Sequence, residues 1–250
     1  MSSKPKGNRP SGGGGTNPTA AIVTVGNELL SGETENTNAS WLARELLDCG
    51  IAPKLILTLP DEVAAIARGL RDAAASHSHV FVTGGVGPTP DDVTREAVAE
   101  ALEVPLADHP TMPGLLRRLY GEKFTDRVLV MARLPEGAEL LTDDGTLFPG
   151  FRIKNLYVFP GLPDLMRANF ALVKPTLQGA PFHSKSLTTS LDESLYAELL
   201  AEAMAAFPQV LFGSYPHLED GRFTATVMLR SRDADALEEA WGWLNERWPG

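Results

Sequence analysis

Residues 83 to 92 read Thr83, Gly84, Gly85, Val86, Gly87, Pro88, Thr89, Pro90, Asp91 and Asp92. These residue types, in this order, could do phosphate chemistry. Three glycines in four positions let the main chain approach an oxyanion with no Cβ in the way. Successive N–H groups, with Thr83 at the base, can then close around it. A helix expected to begin near Asp91 or Asp92 aims its free N–H groups and its dipole at the same place. Two adjacent carboxylates at an anion site admit two readings. One of them caps the helix, or one holds a divalent cation (Mg²⁺, Mn²⁺ or Co²⁺) that bridges to the phosphates, or one does each.

Two further segments join this loop at the same edge. The first is Gly26, Asn27, Glu28, Leu29, Leu30, Ser31, Gly32, in which Glu28 reads either as a helix-start residue or as a site carboxylate. The second is Pro160, Gly161, Leu162, Pro163. Pro163 suits a first helical turn, where its missing N–H is not needed. Gly161 would let that helix approach a ligand, or would serve a plain turn.

The elements that must position these segments follow from periodicity. Short apolar runs at 20–25, 53–59, 79–82 and 156–159 read as buried strands. Helical spacing covers 36–49, where Trp41, Leu42, Leu46 and Leu47 share a face and Gly50 stops the helix. It also covers 61–75 with Asp61 as cap, 91–102, 110–120 and 162–173, and 127–150 reads as irregular. Strand and helix alternate as in a doubly wound, mostly parallel sheet, an α/β fold whose ligands gather at the carboxyl ends of the strands. A boundary is expected near 178–181, giving one domain over 20–178 and a second over 179–250. In the second, strand 184–189, helix 192–206, strands 210–214 and 222–230 and helix 234–247 predict a small α+β sandwich. Trp241, Trp243 and Trp248 would supply its apolar area or a subunit contact.

Composition narrows the function. The 250 residues carry a net charge of −10, which argues against a nucleic-acid partner held by a basic face. No run approaches the roughly 18 apolar residues of a membrane span. Cys49 is the only cysteine, so no intrachain disulfide forms, and a reducing cytoplasm is expected. Cys49 itself reads as the buried end of a helix. Residues 1–19, rich in Ser, Gly, Pro and Asn, read as a disordered tail and not as a secretory signal. His77, His79, His109, His183 and His217 show no metal-ligand spacing.

These segments resemble the molybdopterin-binding domain superfamily of MoaB and MogA. They are most similar to the N-terminal domain of the CinA (competence/damage-inducible protein A) family. The resemblance rests on Gly26 to Leu30, Thr37 and Asn38, TGGVGPTPDDVTREA at 83–97, Leu134 to Gly137, Pro149 to Phe151, and Pro160 to Pro163. It covers about 20–175 and, more loosely, the second domain, which is similar to the KH-like domain of CinA proteins. No GXXG clamp of the kind KH domains use on nucleic acid occurs in 181–250.

The resemblance implies a site for a small molecule bearing a phosphate or diphosphate. It extends the site to Thr37, Asn38, Thr89, Thr94, Pro149 and Gly150, beside Gly26, Asn27, Pro88, Pro160 and Gly161. It also implies homo-oligomers, dimers or trimers. In a metal-dependent pyrophosphatase acting on ADP-ribose or FAD, Asp91 and Asp92 would hold the cation, with Glu28 as third catalytic carboxylate. The alternatives are a molybdopterin-binding or adenylylating protein of cofactor synthesis, and a non-catalytic ligand-binding member. The chain departs from the family at Asn36, where an aspartate is usual, and around Val130, where a lysine is usual. It departs also at Leu147 and Phe148, where small residues are usual, and at Leu165, where a glutamate is usual.

Overall fold

The computed structural model describes residues 17–219 and 221–249. Most of the expected tail, residues 1–16, lies outside them. In chain order the elements are β1 (Thr19–Val25), α1 (Asn27–Ser31), α2 (Thr37–Asp48), β2 (Ala52–Leu59), α3 (Val63–Ser76), β3 (His79–Thr83) and α4 (Thr94–Leu102). There follow β4 (Leu106–Asp108), α5 (Met112–Tyr120), α6 (Asp126–Leu129), β5 (Arg133–Pro135), β6 (Glu139–Leu141), β7 (Gly150–Ile153), β8 (Leu156–Phe159) and α7 (Pro163–Val173). The second domain holds β9 (His183–Thr189), α8 (Ala197–Ala206), β10 (Leu211–Glu219), β11 (Arg222–Ser231) and α9 (Ala234–Arg247).

The main sheet has the order β2-β1-β3-β8-β7-β6. Its first four strands run parallel, and β7 and β6 close it antiparallel. This is the mostly parallel, doubly wound α/β fold expected of MoaB and MogA relatives. Strand β1 has buried side chains on both faces, which is why it reads as a continuous apolar run without alternation. On one face Ile66, Ala67 and Leu70 of α3 and Ala97, Val98 and Ala101 of α4 pack on Val23, Val82 and Val158. On the other, Ala39, Leu42 and Leu46 of α2 and Met166, Phe170 and Val173 of α7 pack on Ile22, Phe81 and Phe159.

Neighbouring strands β1 and β3 therefore send their chains to opposite faces, β1 to α2 and β3 to α4. That divergence opens a crevice between their carboxyl ends, the usual ligand position in such sheets.

Around the cleft two expected helix starts shift, and one expected irregular stretch is ordered. Helix α4 begins at Thr94 and not at Asp91 or Asp92, and its N-cap Val93 makes no side-chain cap bond. The prolines at 88 and 90 disfavour helical backbone in the residue before each, and residues 89–92 instead form a turn in which Asp92 N–H donates to Thr89 O at 3.0 Å. Helix α3 begins at Val63 with Glu62 before it. Asp61, expected as its cap, accepts from the Asn27 N–H at 2.8 Å. The stretch expected to be irregular holds α6, β5 and β6.

Beyond residue 182 a three-stranded antiparallel sheet, β10-β11-β9, carries α8 and α9 on a core of its own. Val227, Leu229, Leu237, Ala240 and Leu244 form its centre, with Trp241, Trp243 and Trp248 packed partly buried against it. The tether to this domain crosses the turn after α2. Gly179 N–H donates to Cys49 O at 3.0 Å, and a side chain on Gly50 would begin 2.5 Å from Ala180 O. On the far side Arg232 Nη1 donates to the same Ala180 carbonyl at 2.8 Å, with its guanidinium 4.1 Å above the Phe182 ring.

Candidate functional site

A cleft of about 820 Å³ opens at the carboxyl edge of β1, β3 and β8. Its floor is the glycine loop, built by constraints that only glycine meets. Gly84 has φ +105° and Gly85 φ +65°, conformations that side chains rarely adopt. A Cβ on Gly84 would run into Val25 O, and one on Gly85 into Thr94 Oγ1. Gly84 N–H donates to Phe159 O at 3.3 Å and Thr94 N–H to Gly85 O at 2.9 Å, while the Thr94 hydroxyl donates to Gly84 O at 2.9 Å. Among the described residues no hydrogen bond uses the N–H of Gly85, Val86 or Gly87. Those three donors are left for a ligand.

Arg95 holds the loop from behind. It is 3% exposed, and its Nη1 donates to Val86 O at 2.7 Å and to Gly87 O at 3.1 Å. Nη2 reaches Asp92 O at 3.4 Å. Because a peptide N–H lies trans to the carbonyl of the residue before it, turning Val86 O onto Arg95 turns the Gly87 N–H away from it. Burial pushes the Arg95 pKa down from its usual value, yet an arginine remains charged. A cation thus sits against the carbonyl side of the loop, with the Glu96 and Asp92 carboxylates near it.

Asp92 closes the loop and Asp91 faces out of it. Oδ2 of Asp92 accepts from Thr89 N–H at 2.9 Å and from the Thr89 hydroxyl, and it lies 2.6 Å from where a Gly87 side chain would begin. Both aspartates line the cleft, as does Glu28, whose Oε2 folds back to 2.5 Å from the Cβ position of Gly26. Neither aspartate caps α4.

The side wall comes from α2 and the loop after β8. Asn36 caps α2 by accepting from Ala39 N–H at 3.2 Å. Its amide donates to Thr24 Oγ1 at 2.8 Å and Thr58 Oγ1 at 3.2 Å. The amide thus has a structural purpose here, as cap and as donor to two threonines. Asn38 Nδ2 donates to Gly161 O at 2.7 Å and to Thr83 Oγ1 at 3.2 Å. The Thr83 hydroxyl in turn donates to Pro160 O at 2.9 Å. Leu119, Tyr120, Leu147, Phe148, Leu162 and Leu165 make an apolar wall of the cleft, Leu162 coming from the same loop after β8. Leu147 is 68% and Leu162 65% exposed, so both stand uncovered at the mouth.

Thirteen of the residues expected from sequence line this cleft: Gly26, Glu28, Thr37, Asn38, Thr83, Gly84, Gly85, Gly87, Pro88, Asp91, Asp92, Pro160 and Gly161. Five do not. Asn27 is turned to Asp61 through its N–H, and Thr89 is spent on Asp92. Thr94 is fully buried and committed to Gly84. Pro149 and Gly150 lie behind the wall, where Gly150 N–H donates to Asn169 Oδ1 at 2.5 Å.

Sequence reading missed Arg95, Asn169 and the apolar wall. Asn169, 1% exposed, also donates to Phe148 O at 2.8 Å and Leu165 O at 2.9 Å, which fixes the wall's backbone. The available signals were a basic residue in the first turn of a helix, where acidic ones are favoured, and a polar residue on the apolar face of α7.

Among the described residues no three His, Cys, Asp or Glu side chains gather closely enough to hold a metal ion. The expected trio of Asp91, Asp92 and Glu28 is therefore not a ready cage. Two hard carboxylates at one rim suit a cation that keeps several waters and takes its other ligands from a phosphate, as Mg²⁺ does. No helix among the described residues is long and apolar enough to cross a membrane.

Comparison with known proteins adds independent evidence. Residues 21–179 match the family described as "Probable molybdopterin binding domain", and residues 181–250 match "FAD synthase, middle domain". A protein of Aeropyrum pernix is 36% identical over 237 residues, covering 89% of this chain and 88% of its own length. A CinA-like protein of Frankia casuarinae is 32% identical over 239 residues, covering 88% of this chain. The chain spans only 55% of that relative's length. The crystal structure of a CinA protein of unknown function from Thermoplasma acidophilum superposes with a TM-score of 0.60 at 28% identity, covering 64% of this chain and 99% of that one.

Proposed function

The chain belongs to the probable molybdopterin binding domain family, with the CinA N-terminal domain as its counterpart, and from that premise we propose that its cleft binds a phosphate-bearing nucleotide or pterin and hydrolyses a nucleotide diphosphate. One observation carries this reading. Three unused N–H groups, those of Gly85, Val86 and Gly87, sit above a buried guanidinium and beside two carboxylates, in a cleft with one apolar wall.

The residues divide the work. The glycine loop and Arg95 hold the diphosphate by charge and hydrogen bonding. Asn38 and Gly161 border the same floor. Leu119, Tyr120, Phe148 and Leu162 offer the flat apolar surface that a nucleobase, isoalloxazine or pterin ring needs. Asp91 and Asp92 would hold a divalent cation, which when bound lowers the pKa of a water and neutralises charge on the diphosphate.

A second reading, a protein that binds molybdopterin or adenylylates it, is supported by the family match over 21–179 and by the same ring-sized wall. A panel of ADP-ribose, FAD and other dinucleotides, incubated with Mg²⁺, Mn²⁺ or Co²⁺ and read by mass spectrometry, separates the two. Cation-dependent release of AMP supports the hydrolase. Tight pterin binding with no turnover supports the second reading. Ligand binding with neither product leaves a non-catalytic member of the family.

A further inference from the structure

We infer that Glu35 and Asp61 make the cleft selective for a phosphate that arrives with its divalent cation, and turn away the cation-free anion; the inference rests on the phosphate reading of the cleft. Five carboxylates line the cleft, those of Glu28, Glu35, Asp61, Asp91 and Asp92. Among the described residues that line it there is no Lys, Arg or His. None of the five carboxylates belongs to an ion pair among the described residues. Arg95, behind the loop, is one cation against these five. It is 3% exposed, its donors are turned to the carbonyls of Val86, Gly87 and Asp92, and the Glu96 and Asp92 carboxylates lie near it. The free N–H groups of the loop can hold a phosphate oxygen, but they carry only partial charges. A diphosphate entering alone brings several negative charges into a cleft whose walls focus a field of the same sign. Repulsion there is stronger than in open water.

A divalent cation on the diphosphate reverses that balance. It cancels much of the ligand's charge and gives Asp91 and Asp92 a partner. Among the described residues no three His, Cys, Asp or Glu form a cage that would hold the cation beforehand. Cation and phosphate thus complete each other's coordination and enter together. Glu35 and Asp61 act on this step by charge, from a separate part of the cleft. Glu35 is exposed in the turn before α2. Asp61 follows β2, where its Oδ2 accepts from the Asn27 N–H at 2.8 Å. Asp91 and Asp92 follow β3, and β1 lies between those two strands.

Titration calorimetry of the full chain at low ionic strength, where charge is least screened, tests the inference. The probes are sodium pyrophosphate in EDTA, Mg²⁺ alone, and pyrophosphate in excess Mg²⁺. The wild type is expected to bind the magnesium complex at least about tenfold more tightly than the free anion, and Mg²⁺ alone only weakly. Glu35→Gln and Asp61→Asn are expected to bind the free anion severalfold more tightly than the wild type does, and Glu35→Lys more tightly still. Asparagine at 61 keeps an acceptor for the Asn27 N–H, and thermal melts check that each variant folds. Added KCl should strengthen binding of the free anion by the wild type, the reverse of its effect where a basic side chain attracts the phosphate. Equal binding of free anion and complex by the wild type overturns the inference, as does tight binding of Mg²⁺ without pyrophosphate. Folded variants that bind the free anion no better than the wild type overturn the assignment to Glu35 and Asp61. Failure of pyrophosphate to bind with or without Mg²⁺ overturns the phosphate reading of the cleft itself.

Discussion

Gly161 and Gly84 meet backbone to backbone: a side chain started on Gly161 would lie 3.3 Å from Gly84 Cα. The loop after β8 thus leans directly on the loop after β3, and both border one cleft. The two positions should nevertheless respond differently to substitution. Gly84→Ala combines a φ of +105° with a collision against Val25 O and should cost about 2 kcal/mol or more. Gly161→Ala meets only a tight contact and should leave the melting temperature nearly unchanged while weakening phosphate binding. Thermal melts paired with pyrophosphate titration check both; equal destabilisation by the two would contradict the geometry.

Arg95 offers a second test. Arg95→Met removes the partner of Val86 O and Gly87 O and leaves buried carbonyls without donors, at about 1–3 kcal/mol. Arg95→Lys keeps the charge but has a single nitrogen where the guanidinium uses Nη1 on Val86 O and Gly87 O and Nη2 on Asp92 O. It is expected to fold and to bind pyrophosphate at least severalfold less tightly. Denaturant midpoints give the first effect and titration calorimetry the second.

The aspartates separate a positioning role from a cation role. Asp91→Asn should leave stability unaltered and remove cation-dependent turnover of a diphosphate. Asp92→Asn should do the same to turnover and in addition loosen the 89–92 turn, because Asp92 Oδ2 accepts from both Thr89 donors. Full turnover by Asp91→Asn at saturating Mg²⁺ would remove it from the cation site. Hydrogen exchange at the Thr89 amide distinguishes the two variants.

Stability should fall as the pH drops below neutrality, through His79. Burial, and then the nearby Arg152 cation, lower its pKa below the usual 6.5. The folded state therefore binds fewer protons than the unfolded state in that range. Its contribution is complete above about pH 6.5 and is lost as the pH falls through the folded-state value. His79 stands beside the Phe81 and Tyr157 rings, at 6.2 and 5.9 Å between centroids. Urea midpoints between pH 5 and 7.5 should decline more steeply for the wild type than for His79→Gln.

Much of this site is legible in the chain because glycine, proline and paired aspartate constrain the backbone locally. The run at 83–92 announces a tight loop between strand and helix, and that loop floors the cleft. What escaped is non-local. Asp92 turns to Thr89 instead of capping α4, since Pro88 and Pro90 hold the intervening backbone out of a helix. Asp61 is drawn to Asn27, 34 residues away in sequence. Asn169 appears in the sequence as one polar residue on an apolar helix, and only the fold brings Phe148 and Gly150 to it. Leu147, Phe148 and Leu165 read as departures from a family pattern. Together they make one wall. Strands of three residues such as β5 and β6 are too short to show any periodicity.

The crossing of Gly50 and Gly179 bears on how the two domains can be recombined. Domain swaps and fusions are ordinarily cut in the tether, on the assumption that each module brings everything it needs. Here the tether's first residue is bonded to Cys49 O and lies against a glycine in the turn after α2. Residues 179–250 grafted onto another scaffold would find that seat missing unless the recipient also offers a bare backbone at the equivalent turn. A chimera in this family should therefore inherit positions 50 and 179 as a pair, from one parent.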